Sequence, residues 1–321
     1  MRAVRIGAPE SAQLVELPTP RPRDGEMLVR VSAASICPTD RRILSRGADP
    51  PRVPGHEIGG RLEDGTRVGV HPDVGCGTCA HCRAGFENRC PDRVAIGIHR
   101  DGGLAEWLAA PEGHVVPVEG VDPQIVPLLE PLGCSLHAVA RLGVARGELA
   151  VVLGAGAMGV LGTWALQSAG ARVAVVEPVA ERREQALDLG ADVAVGPDDD
   201  VAAALGGDPD VGIVTAPGAE PLTWTLERVG VGGRVHAFAG MPGGAPVDAN
   251  LVHYRHLALV GSTGSTVEDY RRARDLVVAG SVPLGRLPRS AISLDEAPAA
   301  LASAPPPPAL KVVVRIEEEA A

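Results

Sequence analysis

Apolar residues change their spacing partway along this chain. Over about the first 130 residues they come in short alternating runs such as Met27–Ala33, broken by Gly and Pro roughly every ten residues. A period of two predicts short, half-buried strands in a β-rich, barrel-like domain. From about 136 to 280 strand and helix patterns alternate. Val151–Leu153, Val173–Val176, Val211–Thr215, Arg234–Ala239 and Leu257–Gly261 read as strands, and Val160–Ala169, Val179–Leu189 and Val267–Ala279 have helical spacing. Such alternation predicts an α/β domain with a parallel, doubly wound sheet, because parallel neighbours need a crossover. The tail predicts a helix at Leu294–Ser303, a loop at Pro305–Pro308, a strand at Leu310–Ile316 and a frayed, solvated end at Glu317–Glu319. The expected division is therefore 1–135, 136–282 and a return of 283–321 to the first domain.

One stretch organises the middle of the chain, LAVVLGAGAMGVLGTWALQSAGARVAVVE from Leu149 to Glu177. Gly154, Gly156 and Gly159 form G-x-G-x-x-G between an apolar strand and a helix. The first glycine permits the sharp turn, the second clears space for a pyrophosphate, and the third lets helix and strand approach. The helix N-terminus then offers free N–H groups and a positive dipole end to the phosphates. Glu177, 18 residues after Gly159, is placed to accept hydrogen bonds from a ribose diol and to repel a 2′-phosphate, which favours NAD over NADP. A glycine triplet alone is weak in a chain with 40 glycines; the flanking strands and the acid carry the dinucleotide reading. Ala157 and Met158 in the turn and Thr215 at the end of the third strand join the cofactor set. Arg182 is either a partner of the adenosine or a solvated helix charge.

Composition narrows the class. With 321 residues the chain can hold two cores, and a net charge of −10 argues against nucleic acid or an anionic membrane surface as partner. The start, MRAVRIGAPES, lacks the apolar run of a signal peptide, and the uncharged run Leu149–Ala171 is broken by its glycine turn, so a cytoplasmic protein is expected. Lys311 is the only lysine among 30 basic residues. Aromatic residues, at 2%, are too few for a base- or sugar-stacking platform.

Two sets of side chains suggest metal. Cys76, Cys79, Cys82 and Cys90, in a lobe of about 75–91, have the C-x2-C-x2-C-x7-C spacing of a closed, tetrahedral structural zinc site. Two disulfides are the alternative, disfavoured in a cytoplasmic chain. His81 sits in the same loop but is not needed as a ligand. The second set is dispersed: Cys37 in CPTD, His56 and Glu57 in GHE, and Glu130 in LLEPLG. Thiolate, imidazole and carboxylate suit zinc with an open position, although each residue alone also reads as core, surface or helix cap.

The order CPTD, GHE, four-cysteine loop, EPL, GAGAMG and a late KVVV resembles the zinc-dependent medium-chain dehydrogenase/reductases of the alcohol dehydrogenase superfamily, over nearly the whole chain. The EPL segment, HYRHLALVGSTGST from His253, and Glu57 bring it closer to the polyol, sorbitol and threonine dehydrogenase branch. The resemblance implies a GroES-like catalytic domain with a Rossmann domain inserted, and two zinc ions per chain. It implies Cys37 and His56 as catalytic zinc ligands, Glu57 as a third that exchanges with water, and Glu130 binding directly or through water. It implies Asp40 as the acid that orients the histidine, and Thr39 as the hydroxyl that hands on the alcohol proton. Cys134 falls beside the nicotinamide or is a packed thiol, and Lys311 reaches the pyrophosphate or is a strand-edge charge. Zinc then acts as a Lewis acid on the substrate hydroxyl, and hydride passes to the nicotinamide.

Two departures stand out. Where the family often has a relay histidine, five residues after the cysteine ligand, this chain has Arg42, which cannot act as a base. The stretch between Glu57 and Cys76 is also short, which predicts a trimmed surface loop. The leading expectation is an NAD-dependent dehydrogenase of a secondary alcohol, a polyol, cyclitol or amino-cyclitol. The alternatives are a reductase of an imine or ketone, suggested by Arg42, and a catalytically silent zinc- and nucleotide-binding scaffold. Arg42, His99 and Trp107 are candidates for the substrate cleft. A homodimer or homotetramer, paired through the strand near Leu257–Gly264, is implied by the resemblance.

Overall fold

The computed structural model describes residues 1–241 and 243–317, so Glu318 and Glu319 of the expected frayed end lie outside the described residues. The chain separates into two compact units, one of 1–133, 265–280 and 287–321, the other of 134–264 and 281–286.

The first unit is built around the strand Glu26–Ile36. Its early half keeps the alternation seen in the sequence, with Val29 and Val31 buried and Arg30 exposed between them, while Ala33–Ile36 is buried throughout. Ala33–Ile36 pairs on both sides, antiparallel with Glu57–Arg61 and with Lys311–Arg315, and the early half of the strand pairs with Trp107–Pro111. Arg289–Ser293, Arg67–Val70 and Val115–Pro117 complete a seven-stranded sheet. Its core includes Ile6, Ile36, Ile58, Ile96 and Leu104, all at most 1% exposed. The short stretch after Glu57 is a hairpin, Glu57–Arg61 with Arg67–Val70. A two-stranded ribbon of Asp73–Val74 and Val94–Ala95 closes the base of the four-cysteine loop.

The helix Val267–Val278 belongs to this unit, whereas the sequence placed it in the dinucleotide domain. Helical spacing shows that a face will be buried, but not which core receives it. Here Tyr270 and Ala273 are fully buried, and Tyr270 packs so closely on Gly69 that an added Cβ would lie 2.0 Å from its hydroxyl. His71 anchors the start of the segment, its Nε2 lying 3.1 Å from the Ser265 carbonyl oxygen. Glu317 is also unlike its expectation: its carboxylate pairs with Arg30 at 3.1 Å and Arg61 at 2.6 Å, tying the last described residue to two strands of the sheet.

In the second unit six parallel strands lie in the order Val193–Val195, Arg172–Val176, Leu149–Leu153, Val211–Val214, Arg234–Ala237, Ala258–Gly261. Two βαβ series run outward from Leu149–Leu153, which is the doubly wound Rossmann order expected. Ala150, Val151 and Val152 are wholly buried, as a central parallel strand covered on both faces must be. Val193–Val195 and the helices Val201–Leu205, Ala219–Arg228 and Ala249–Tyr254 were not read from the sequence; a strand of three residues has no period to detect. No helix among the described residues is long and apolar enough to cross a membrane.

Candidate active site

Sheet register assembles one cluster. Cys37 follows the central strand directly and stands at the N-terminus of the helix Pro38–Arg46. Glu57 opens the strand opposite Ser35, and Lys311 opens the strand whose next residue lies opposite Ile36. Residues far apart in sequence therefore meet at one end of the sheet. The ligand atoms of Cys37, His56 and Glu57 all lie within 4.8 Å of one another. Glu130, 6% exposed in the first turn of Leu129–Leu142, does not share that cluster.

Asp40 holds the arrangement. Its Oδ2 accepts the Cys37 amide at 2.8 Å, its Oδ1 accepts the Gly55 amide at 3.1 Å, and the same Oδ1 lies 3.3 Å from His56 Nδ1. One buried carboxylate thus accepts the cysteine's amide and lies within ion-pair distance of the histidine, whose buried Nδ1 makes no hydrogen bond of its own. Burial raises the Asp40 carboxyl, but His56 and the two amides outweigh it and hold the group below its ordinary value. Burial pulls the His56 imidazole down, while Asp40 and Cys37 more than compensate and hold it well above 6.5. Surroundings that favour a positive charge on an imidazole also favour a cation.

Glu57 is 1% exposed and is already engaged. Ser35 donates its hydroxyl to one carboxylate oxygen, and Lys311 Nζ lies 2.5 Å from both. The Lys311 ammonium, depressed by burial, is raised by Glu57, Cys37 and Glu130 together. Lys311, the residue the resemblance assigns to a pyrophosphate, is thus 4% exposed and closed onto the acid of the cluster. Neither Ser35 nor this pairing was read from the sequence. The signal available was that an arginine-rich chain keeps its single lysine here.

The donor set fits zinc. A tetrahedral ion at about 2.0–2.3 Å from N, O and S ligands needs those atoms roughly 3.3–3.8 Å apart, within the 4.8 Å that bounds the observed cluster. The four-cysteine loop fits as well: Cys76, Cys79, Cys82 and Cys90 have their sulfurs within 4.8 Å of one another. Backbone amides of Cys76, Cys79 and Cys82 point at the sulfurs of Cys90, Cys76 and Cys79 at 3.3, 3.3 and 3.4 Å, the donor pattern that stabilises thiolates. None of the six cysteines forms a disulfide, and His81 is exposed, outside the sulfur cluster.

Thr39 lies two residues after Cys37, and its Oγ1 accepts a 2.7 Å hydrogen bond from Arg42 Nη2. Two other cleft candidates have local work: His99 Nδ1 accepts the Ala95 amide at 2.9 Å, and the Trp107 ring lies under the Arg30 guanidinium at 5.7 Å.

In the second unit the glycine turn has the form its sequence requires. Gly154 has φ +101°, and a Cβ on Gly159 would stand 1.9 Å from the Gly154 oxygen. Gly156 differs: its φ is −73° and nothing lies within 4 Å of where a Cβ would be. Neither conformation nor packing calls for glycine there, which is what a cradle for a bound group looks like. Ala157 and Met158 begin the helix Ala157–Ser168, whose first amides lack partners within the helix. Thr215 Oγ1 donates to the Leu153 carbonyl at 2.7 Å and so pins the turn to the neighbouring strand. Glu177, 4% exposed, accepts the Ala155 amide at 2.9 Å and the Val179 amide at 3.1 Å, which aims its carboxylate at the glycine turn. Arg182 is exposed; it is Arg183, which was not singled out, that bonds the Glu177 carbonyl at 2.8 Å. Cys134 is half-buried on Leu129–Leu142.

Residues 23–120 match the alcohol dehydrogenase GroES-like domain, and residues 157–279 match the zinc-binding dehydrogenase family. The chain is 34% identical over 285 residues to L-galactonate-5-dehydrogenase of Escherichia coli K12, covering 82% of this chain and 83% of that one. It is 32% identical over 278 residues to L-threonine 3-dehydrogenase of Pyrococcus horikoshii, covering 79% and 80%. A crystal structure from Sinorhizobium meliloti 1021, described as a zinc-binding dehydrogenase bound to NADP, superposes with a TM-score of 0.90 at 32% identity and covers 98% of both chains. The chain therefore belongs to the zinc-type medium-chain alcohol dehydrogenase superfamily, among its polyol- and threonine-dehydrogenase-like members.

Proposed function

We propose that this oxidoreductase transfers a hydride between NAD and a secondary alcohol or ketone of the polyol, cyclitol or amino-cyclitol type. The observation that carries the reading is the cluster of Cys37, His56 and Glu57 clasped by Asp40. Sequence similarity to dehydrogenases named for a sugar acid and a hydroxy amino acid supports a substrate with a secondary hydroxyl among polar neighbours. When bound, zinc supplies Lewis acidity at the alcohol oxygen and the nicotinamide accepts the hydride. Cys37 and His56 would hold the metal, with Glu57 or Glu130 completing the set through exchange with water. Asp40 keeps His56 in one tautomer. The overall change is alcohol plus NAD⁺ to ketone plus NADH and one proton, and Thr39 is placed to pass that proton on. Arg42 can only donate to Thr39, so the proton leaves to water. The same bond favours the second reading, a reductase of an imine or activated ketone, in which the Thr39 hydroxyl delivers a proton and no base is needed. A cytoplasmic setting accords with six cysteines outside disulfides, and the exposed edge strand Ala258–Gly261 supports a homo-oligomer paired there.

The test is NADH formation by the zinc-loaded protein with polyols, inositols, amino-cyclitols and simple secondary alcohols, repeated with NADP and after chelation. Turnover of one diol class with NAD, lost with zinc, is expected. Tight NADH binding with silence in both directions would leave only a non-catalytic scaffold.

Nucleotide choice is assigned to Glu177. Replacing it with serine removes a charge that repels a 2′-phosphate and a hydrogen bond to the ribose, together about 1.5–3 kcal/mol. The ratio of kcat/KM for NAD over NADP should fall at least roughly 10-fold. An unchanged ratio would remove Glu177 from the ribose site.

A further inference from the structure

The helix that begins at the metal cluster carries more positive charge than the structure uses. Pro38–Arg46 contains Arg41, Arg42 and Arg46 and a single acid, Asp40, whose oxygens are taken by Cys37, Gly55 and His56. In a chain with 40 acidic and 30 basic residues, other arginines find carboxylates: Arg2 with Glu106, Arg93 with Asp73, Arg100 with Glu26. Arg41 and Arg42 pair with no carboxylate among the described residues. Arg41 Nε and Nη2 are buried without a hydrogen-bond partner, and Arg42 is exposed with one N–H committed to Thr39 Oγ1 at 2.7 Å. The remaining donors of the Arg42 fork therefore stand one hydroxyl away from the group assigned to the reacting alcohol.

We propose that Arg42 is the specificity-determining residue of this site, and that the substrate is a polyhydroxy acid whose carboxylate it binds while the secondary hydroxyl reaches the metal cluster. The inference rests on the dehydrogenase reading above. A guanidinium matches a carboxylate in geometry, and one exposed guanidinium balances the single charge of a carboxylate better than the near-double charge of a phosphate ester. It also gives the residue at position 42 a task that a proton relay does not need.

The test compares kcat/KM of the zinc-loaded full chain with NAD for six-carbon aldonates, alditols of matching configuration and their phosphate monoesters. At least one aldonate is expected to exceed its alditol about 10-fold or more. Arg42→Gln should cut that ratio roughly 10- to 100-fold, and Arg42→Lys, which keeps charge but not the fork, should fall between. Equal or better use of alditols, a preference for phosphate esters, or a ratio untouched by Arg42→Gln overturns the inference and leaves the dehydrogenase reading standing. If no alcohol turns over with either nucleotide, that reading fails instead, and calorimetry decides the anion site. Aldonate binding to the zinc-loaded protein that weakens at least about 10-fold in Arg42→Gln sustains it; no binding, or equal binding, ends it.

Discussion

The parent protein should bind two zinc ions and the Cys37→Ser protein one, and Cys37→Ser should form NADH at least roughly 1,000-fold more slowly. The rate loss follows from removing several kcal/mol of Lewis-acid stabilisation at about 1.4 kcal/mol per decade. The metal count follows from the separation of the two clusters, since Cys76, Cys79, Cys82 and Cys90 form a closed set that owes nothing to Cys37. Elemental analysis of the dialysed proteins reads the first effect and initial rates the second. Cys79→Ser is the matched control: it should lose the other zinc and lower the melting temperature, because a closed four-sulfur site contributes to folding directly. A Cys37→Ser protein that kept two zinc ions would contradict the assignment of Cys37.

Lys311→Met should strongly destabilise the catalytic unit. It strands the Glu57 carboxylate, 1% exposed, without its counter-charge. Removing one partner of a buried ion pair costs about 3–5 kcal/mol, which lowers the melting temperature by about 10 °C for a protein of this size. Glu57→Gln strands the ammonium in the same way, so the double substitution should cost much less than the two singles summed. The metal makes the experiment specific. A zinc ion on Glu57 replaces the missing positive charge, so added zinc should raise the melting temperature of Lys311→Met more than that of the parent. Equal zinc shifts would mean that Glu57 does not reach the metal.

Legibility followed the range of the interactions. The glycine turn with Glu177 and the four-cysteine loop each lie within a short stretch, so spacing alone conveyed their chemistry. The dispersed set was not readable that way. Cys37, His56 and Glu57 each had an ordinary alternative, and it was the order of motifs along the chain that joined them. What joins them physically is strand register, Ser35 opposite Glu57 and Ile36 opposite Val312. Register is a long-range property, and the Lys311–Glu57 pair, 254 residues apart, was invisible for that reason. The helix Val267–Val278 shows the same limit: its pattern was legible, but the Gly69 surface that receives Tyr270 was not.

The division of the chain also dictates an order of assembly. The path passes from one unit to the other at 133/134, 264/265, 280/281 and 286/287, so neither unit is a single continuous segment. The dinucleotide-binding unit has all its residues once 286 is made. The unit that starts first is completed last: its central strand must wait for Lys311–Arg315, whose register partners lie at 33–36. Until then the backbone edge of that strand and the Glu57 carboxylate have no partner from the tail. On a ribosome, the residues that gather around the metal would be translated early and held open longest, closing only when the lysine arrives.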